Sequence, residues 1–366
     1  MLSSHYYKIF GENDMKKKRN KKKRSRSLFD EEMKLKKLTK QSDPLLKLIK
    51  IDFEIFRHTL ESATLQDDNG KGGRPPYDRV LLFKILLLQR FYNISDEQIE
   101  YQINDRLSFM RFLDLSLADD VPDAKTIWLF KDKLAKAGLI EELFQMFNGE
   151  LEEANMIANE GSIIDASFVE VPKQRNKKNE NDDIKNGKIP EEWQKEENKN
   201  KLSQKDTDAR WTKKNNISYY GYKNHVKVDK KSKLIKSFHV TDAGVHDSQA
   251  LDNLLDDKDK DKELYADSAY VGQEEILKKH SVIDKIHEKG YRNKPLTEKQ
   301  KESNKIKSKT RVRVEHVFGY MENSMNSMKI KSIGKKKAIF NIGMMNITYN
   351  IFRFLFLSQD RSLQIA

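Results

Sequence analysis

"SIIDASFVEV" (residues 162–171) is where this chain changes character. Ile163, Ile164, Phe168, Val169 and Val171 are β-branched or aromatic, and Gly161 and Pro172 bound the run, so it reads as a strand. In its middle, among apolar neighbours, stands Asp165. An ionised carboxylate in such surroundings is costly unless it is paired or holds a metal ion.

Upstream of Gly161 the pattern is helical. Residues 77–92, "YDRVLLFKILLLQRFY", are apolar around most of a helix surface and read as a central helix. Residues 95–105 open with Ser95 and Gln98 at capping-box spacing. Residues 122–136 start at Pro122–Asp123 and stop at Gly138, and a further helix is expected from about 140 to 158. Residues 44–158 are thus expected to form a helical domain. Its short Lys-bearing helices suit either a helix-turn-helix-like DNA reader or a plain bundle.

Downstream, residues 218–229 and 233–244 read as two more strands joined by a hairpin. In the first of these, Lys223, His225 and Lys227 share one face, and Tyr222, Asn224, Val226 and Val228 the other. A helix (247–257), a strand (263–270), a helix (272–280), a strand (282–289), a helix bearing Glu315 and an apolar helix (338–357) follow. The expected fold is α/β: a mixed five-stranded sheet with flanking helices over 159–358, behind an all-helical N-terminal domain. A charged insertion at 173–210 has almost no apolar residues and reads as flexible, with Trp193 and Trp211 as its anchors. Residues 1–43 form a basic arm, expected to be largely disordered. Its run "MKKKRNKKKRSR" (15–26) is either a phosphate-binding arm or a solvated tail.

Composition narrows the class. The 366 residues carry a formal net charge of +13 and no cysteine. Disulfides and thiolate zinc sites are excluded, a reducing compartment fits, and a polyanionic partner is favoured. Residues 338–357 approach the length of a membrane span, but Asn341, Asn346, Asn350 and Arg353 favour a buried helix in a soluble core.

Two further acids attract attention. Asp267 ends an apolar strand in "LYADSAY" (264–270), and Glu315 lies in "RVRVEHVFG" (311–319), within a strongly basic region. Each alone has an ordinary reading: a turn cap for the aspartates, an ion pair with Arg311 for Glu315. Together, Asp165, Asp267 and Glu315 are hard oxygen donors that only the fold can assemble. They suit two Mg²⁺ (or Mn²⁺) ions and phosphodiester chemistry, with the basic surroundings holding DNA. In "TDAGVHDS" (241–248), Asp247 reads as a helix N-cap or, with His246, as support behind the metals. A zinc site from His225, His239 and His246 is a weak signal without thiolates.

"IIDASFVEVP", "YYGYKNHVKVD", "HVTDAGVHDSQALDNLL", "YADSAYVG" and "RVRVEHVFG" resemble, in this order, the transposases of bacterial insertion sequences, in the group numbered five. The resemblance runs from about Gly72 to Phe354. It implies a ribonuclease-H-like catalytic domain in which Asp165, Asp267 and Glu315 form a DDE triad. Of the family's Tyr-x2-Arg-x3-Glu-x6-Lys signature, Arg311 and Glu315 match. Ser308 and Glu322 replace the Tyr and Lys, which leaves Lys329 and Lys331 as candidates for the lysine's DNA contact. Arg311, Arg313, Lys223 and His225 are further expected strand contacts. The resemblance also implies binding to the element's terminal inverted repeats, cleavage at its ends, 3′-OH attack on target DNA, a homo-oligomer in the DNA complex, and a cytoplasmic, nucleoid-associated setting. A structure-selective nuclease and an inactive DNA-binding derivative are the alternatives.

Overall fold

The computed structural model describes residues 29–40, 43–63, 75–326 and 328–358, so the run 15–26 lies outside the described residues. The first of its two compact units ends at Asp43. Within it, α1 (Asp30–Lys40) is helical where the arm was expected to be disordered. Its charges explain this: three acids occupy the first turn and lysines the last, complementing the helix dipole. Lys36 and Glu32 pair at 2.6 Å one turn apart.

The second unit begins at Pro44. It opens with α2 (Arg57–Ser62), α3 (Arg79–Tyr92), α4 (Asp96–Asp105), α5 (Leu107–Leu113), α6 (Ala124–Ala137) and α7 (Ile140–Glu153). The start and stop signals act as the sequence predicts for α6. The Asp123 side chain accepts from the Thr126 N–H, and Gly138 closes the helix at φ 73°. α4 starts after Ser95 as expected, but the Ser95 side chain makes no cap; Asp96 and Glu97 in the first turn meet the helix dipole instead. α7 stops before the expected 158 because Asn155, at φ 53°, turns the chain toward the sheet.

The sheet consists of β1 (Gly161–Glu170), β2 (Arg210–Lys214), β3 (Ile217–Asp229), β4 (Ile235–Asp242), β5 (Glu263–Tyr265) and β6 (Ile283–Asp284). β1, β3 and β4 are antiparallel neighbours, whereas β1, β5 and β6 run parallel, giving the order β4-β3-β1-β5-β6. The expected mixed sheet is present. A sixth strand, β2, pairs with the first residues of β3, before the stretch that β4 pairs. Between β1 and β2 the insertion folds into α8 (Lys178–Lys185), α9 (Glu191–Gln194) and α10 (Lys199–Ser203), correcting the expectation of a featureless segment. Trp193 anchors it, fully buried, with its indole donating to Glu180 at 2.8 Å and Lys201 and Lys205 over its ring. Trp211 instead lies on β2, half exposed.

α11 (Leu251–Leu254), α12 (Glu274–Lys279), α13 (Glu298–Asn323) and α14 (Lys335–Leu357) complete the unit. The expected helix 247–257 breaks into two 3₁₀ turns around α11, and the expected strand 263–270 ends early, because Asp267 caps a 3₁₀ turn over Ser268–Tyr270. α14 is the hub. It packs on α3, α6 and α7 and also on β4. Its polar residues are satisfied inside: Asn346 exchanges amide hydrogen bonds with Asn224 at 2.8 and 3.1 Å, and Asn350 accepts from the Ile235 N–H at 2.9 Å. Among the described residues no helix is long and apolar enough to cross a membrane.

The helix α14 approaches α7 through Gly343. A methyl group there would lie 2.3 Å from Ile140 Cγ1 and 3.1 Å from Phe238 Cζ, so the helices must separate to admit it. Gly343→Ala is expected to lower stability by about 1–3 kcal/mol through overpacking. Urea denaturation reads this as a lower midpoint; an unchanged midpoint would show that the contact yields freely.

Candidate active site

Register brings two of the acids together. β1 and β5 are parallel, with Ile163 opposite Tyr265. Asp165 and Asp267 each lie two residues beyond this pair, near enough that the charge of Asp267 raises the pKa of Asp165. β5 pairing stops there because the Asp267 carboxylate turns to accept from the Ala269 N–H at 2.8 Å. Beyond that point the next partner of β1 is the segment around Lys329, which bridges to Glu170.

The third acid comes from α13. Thr297 and Gln300 start this helix with a reciprocal capping box. Val314, Val317 and Met321 form its buried stripe, which carries Arg311 and Glu315 to the edge of the sheet. Arg311 donates from Nη1 to Asp165 at 3.0 Å and from Nη2 to Glu315 at 2.9 Å. One guanidinium therefore ties the first acid to the third. Glu315 is 52% exposed and Asp165 only 16%.

Burial pushes the Asp165 carboxyl up to about 6, and the charge of Asp267 adds to the rise. The Ala166 N–H and Arg311 oppose it without cancelling it. Negative charge at Asp165 is thus only partly compensated. Among the described residues no group of three or more His, Cys, Asp or Glu stands close enough to hold a metal ion; between Asp165 and Glu315 the shared neighbour is Arg311. The donor set itself, carboxylate oxygens with an undercompensated buried member, fits hard divalent ions.

Two side chains near this edge escaped the sequence reading. Tyr270 is fully buried, and its hydroxyl has no hydrogen-bond partner. Burial first, then the charges of Asp247, Asp165 and Asp267, push its pKa well up. His287 follows β6 and lies 3.3 Å from Ser308. Burial lowers its pKa, with Arg311 and Lys307 adding to the fall and Asp267 opposing it. Tyr270 could have been found from its place three residues after Asp267; His287 has no comparable signal.

The expected DNA contacts divide. Lys329 and Lys331 are exposed on either side of buried Ile330. Arg313 projects from another side of α13 than Arg311 and donates to the Lys230 carbonyl at 2.6 Å. Lys223 and His225 were expected to meet a DNA strand, and both are buried instead. The Lys223 ammonium donates to the Val245 carbonyl at 2.6 Å and to Asp247 at 2.8 Å. His225 Nε2 is 2.8 Å from Thr241 Oγ1, and burial lowers its pKa to about 4, so the ring is neutral at pH 7. The reason is that β3 is covered on both faces: the turns around α11 close over the side that alternation alone would leave wet. The N-cap at this turn is His246, whose ring accepts from the Ser248 N–H, and not Asp247. Asp247 is instead ion-paired with Lys223.

A mixed sheet in this order, with helices on its faces, one acid midway along β1 and another just past the end of adjoining β5, is a ribonuclease-H-like catalytic fold behind a helical N-terminal region. A family model described as the transposase DDE domain matches residues 158–351, more than half of the chain. A second, described as a transposase domain (DUF772), matches residues 33–133. The chain belongs to the DDE transposase family, whose chemistry is phosphodiester cleavage and transesterification on DNA. Among solved structures, the cryo-EM structure of a piggyBac transposase synaptic complex with hairpin DNA is similar at 12% identity and a TM-score of 0.44, over 88% of this chain and 77% of that one.

Proposed function

We propose that this transposase binds the terminal inverted repeats of its own insertion sequence, cleaves at their ends and joins the freed 3′-OH to target DNA. Asp165, Asp267 and Glu315 would hold two Mg²⁺ or Mn²⁺ ions. The observation that carries the assignment is the Arg311 bridge from Asp165 to Glu315, with Asp267 two residues past the β1–β5 pairing. When bound, such ions activate the attacking oxygen and stabilise the leaving one. The chain's own part is to hold the strand. Lys329 and Lys331, exposed beyond the end of β1, would take phosphates along that edge. Asp247, paired with Lys223 beside Tyr270, would orient the acids from behind. The helical region 44–158 would supply end recognition, and two ends handled together imply a homo-oligomer on DNA.

A labelled element end incubated with Mg²⁺ and an unlabelled plasmid tests this. Joined product is expected from the wild type. Asp267→Asn and Glu315→Gln are each expected to lose cleavage and joining by at least about a thousandfold while still shifting the labelled end in a gel. Cleavage without joining would indicate a structure-selective nuclease.

A further inference from the structure

Arg311 does more than an ordinary surface ion pair requires. Its two Nη atoms hold acids from a strand and a helix that are far apart in the chain, at 3.0 and 2.9 Å. Its third donor, Nε, is buried and has no partner. An unmet buried donor is unfavourable, so this guanidinium is not in its best-satisfied position. One of its two pairs, with Glu315, is between residues four apart on a helix and half exposed, the kind of pair worth only a few tenths of a kcal/mol. The Asp165 pair is the more buried one. A planar guanidinium that faces two acids at the surface of a basic helix has an obvious competing partner, the phosphate of a DNA strand, which it can meet bidentately.

We propose that Arg311 is the resident counter-ion of Asp165 and Glu315, and that a DNA phosphate draws it away, so that the acids become free for divalent ions only when DNA is bound. This rests on the reading of these acids as the metal-holding set. Arg311 is then a positioning residue that couples two ligands: while it sits between the acids it competes with metal, and once on a phosphate it strengthens DNA binding instead. Such coupling is reciprocal: DNA tightens metal binding by the same factor by which metal tightens DNA binding. It also has a use, because free protein would carry no loaded cutting centre.

Mn²⁺ titration of the full chain, read from the electron paramagnetic resonance signal of free Mn²⁺, tests the proposal with no cleavage assay. Wild type, Arg311→Gln and Arg311→Lys are each titrated with and without a short duplex. DNA is expected to tighten Mn²⁺ binding to the wild type by about tenfold or more, within the usual range for coupled sites. Arg311→Gln alone should bind Mn²⁺ about tenfold more tightly than wild type alone, and gain little from DNA. Arg311→Lys, which keeps the charge, should stay close to wild type in free protein. An Arg311→Gln variant that binds Mn²⁺ no better than wild type, or less well, overturns the proposal, since a purely structural ion pair predicts that result. So does wild-type binding that ignores DNA. Asp165→Asn separates the two levels. If it leaves Mn²⁺ binding intact, the metal-holding set itself is wrong; if it removes binding while Arg311→Gln changes nothing, only the role given to Arg311 falls.

Discussion

Asp165→Asn is expected to make the metal-free protein more stable at neutral pH while abolishing its cleavage of DNA. The two effects have one cause. Folding buries a carboxylate beside Asp267, and its pKa rises from 3.8 to about 6. Each tenfold change in proton affinity is 1.36 kcal/mol, so holding Asp165 ionised in the folded chain costs about 3 kcal/mol, an order-of-magnitude figure. Below pH 3.8 the group is neutral in both states and costs nothing. Between 3.8 and about 6 the unfolded chain ionises first and stability falls. Above about 6 the cost is fully present. An amide of the same shape avoids it, so the gain from Asn should be flat from pH 7 to 8, shrink below 6 and vanish near 4. Thermal denaturation across that range is the measurement. A variant less stable than wild type at pH 7.5 would mean that the Arg311 pair outweighs burial and that Asp165 is a structural residue. Sites poised for function commonly show this opposition between stability and activity.

Asp259→Ala should produce the largest loss of stability. Asp259 is almost fully buried and accepts from Lys227 at 2.6 Å, Lys236 at 3.3 Å and Ser162 at 3.2 Å. Burial pushes its carboxyl up, but Lys227 and Lys236 together outweigh this and hold it below its ordinary value. The Lys227 side chain is wholly buried, and its one other acid among the described residues is half-exposed Asp256 at 2.8 Å. Removing Asp259 leaves the buried Lys236 ammonium without a carboxylate and Lys227 with Asp256 alone, and deleting one partner of a buried pair costs about 3–5 kcal/mol. Denaturant unfolding should register the full amount. A triple replacement, Lys227→Met and Lys236→Met with Asp259→Leu, should cost clearly less, because no buried charge is left alone. A loss under about 1 kcal/mol for Asp259→Ala would show that water reaches this cluster.

The elements legible in the sequence were those whose burial follows a period. α3 and α6 carry a strong helical pattern between clear start and stop signals, and they lie within two residues of the expected ranges. β1, β3 and β4 alternate or run apolar, and they were equally clear. β2 was hidden because its residues, "RWTKK", look like the charged insertion that precedes it. The helices α8 to α10 were hidden because a few separate buried residues, Trp193, Glu180 and Ile184, secure them and no apolar stripe does. Lys223 and Lys227 show a deeper limit. Alternation says which side chains share a face, but a buried aspartate from a distant turn can cover that face as well as an apolar group can. Within the site, Asp165, Asp267 and Glu315 were marked by sequence context. The unpartnered Tyr270 hydroxyl was not, because only the fold brings it near Asp247, Asp165 and Asp267.

The proposed convergence of the three acids on metal can be mapped by chemistry on the chain itself. With the protein bound to DNA, Fe²⁺ replaces Mg²⁺, and ascorbate with peroxide generates hydroxyl radicals that cut the backbone next to the bound ion. Cuts are expected around residues 165, 267 and 315, suppressed together by excess Mg²⁺ and by Asp165→Asn. Cuts that avoid any one of those three segments, or that persist unchanged in Asp165→Asn, would contradict a shared metal centre formed by Asp165, Asp267 and Glu315.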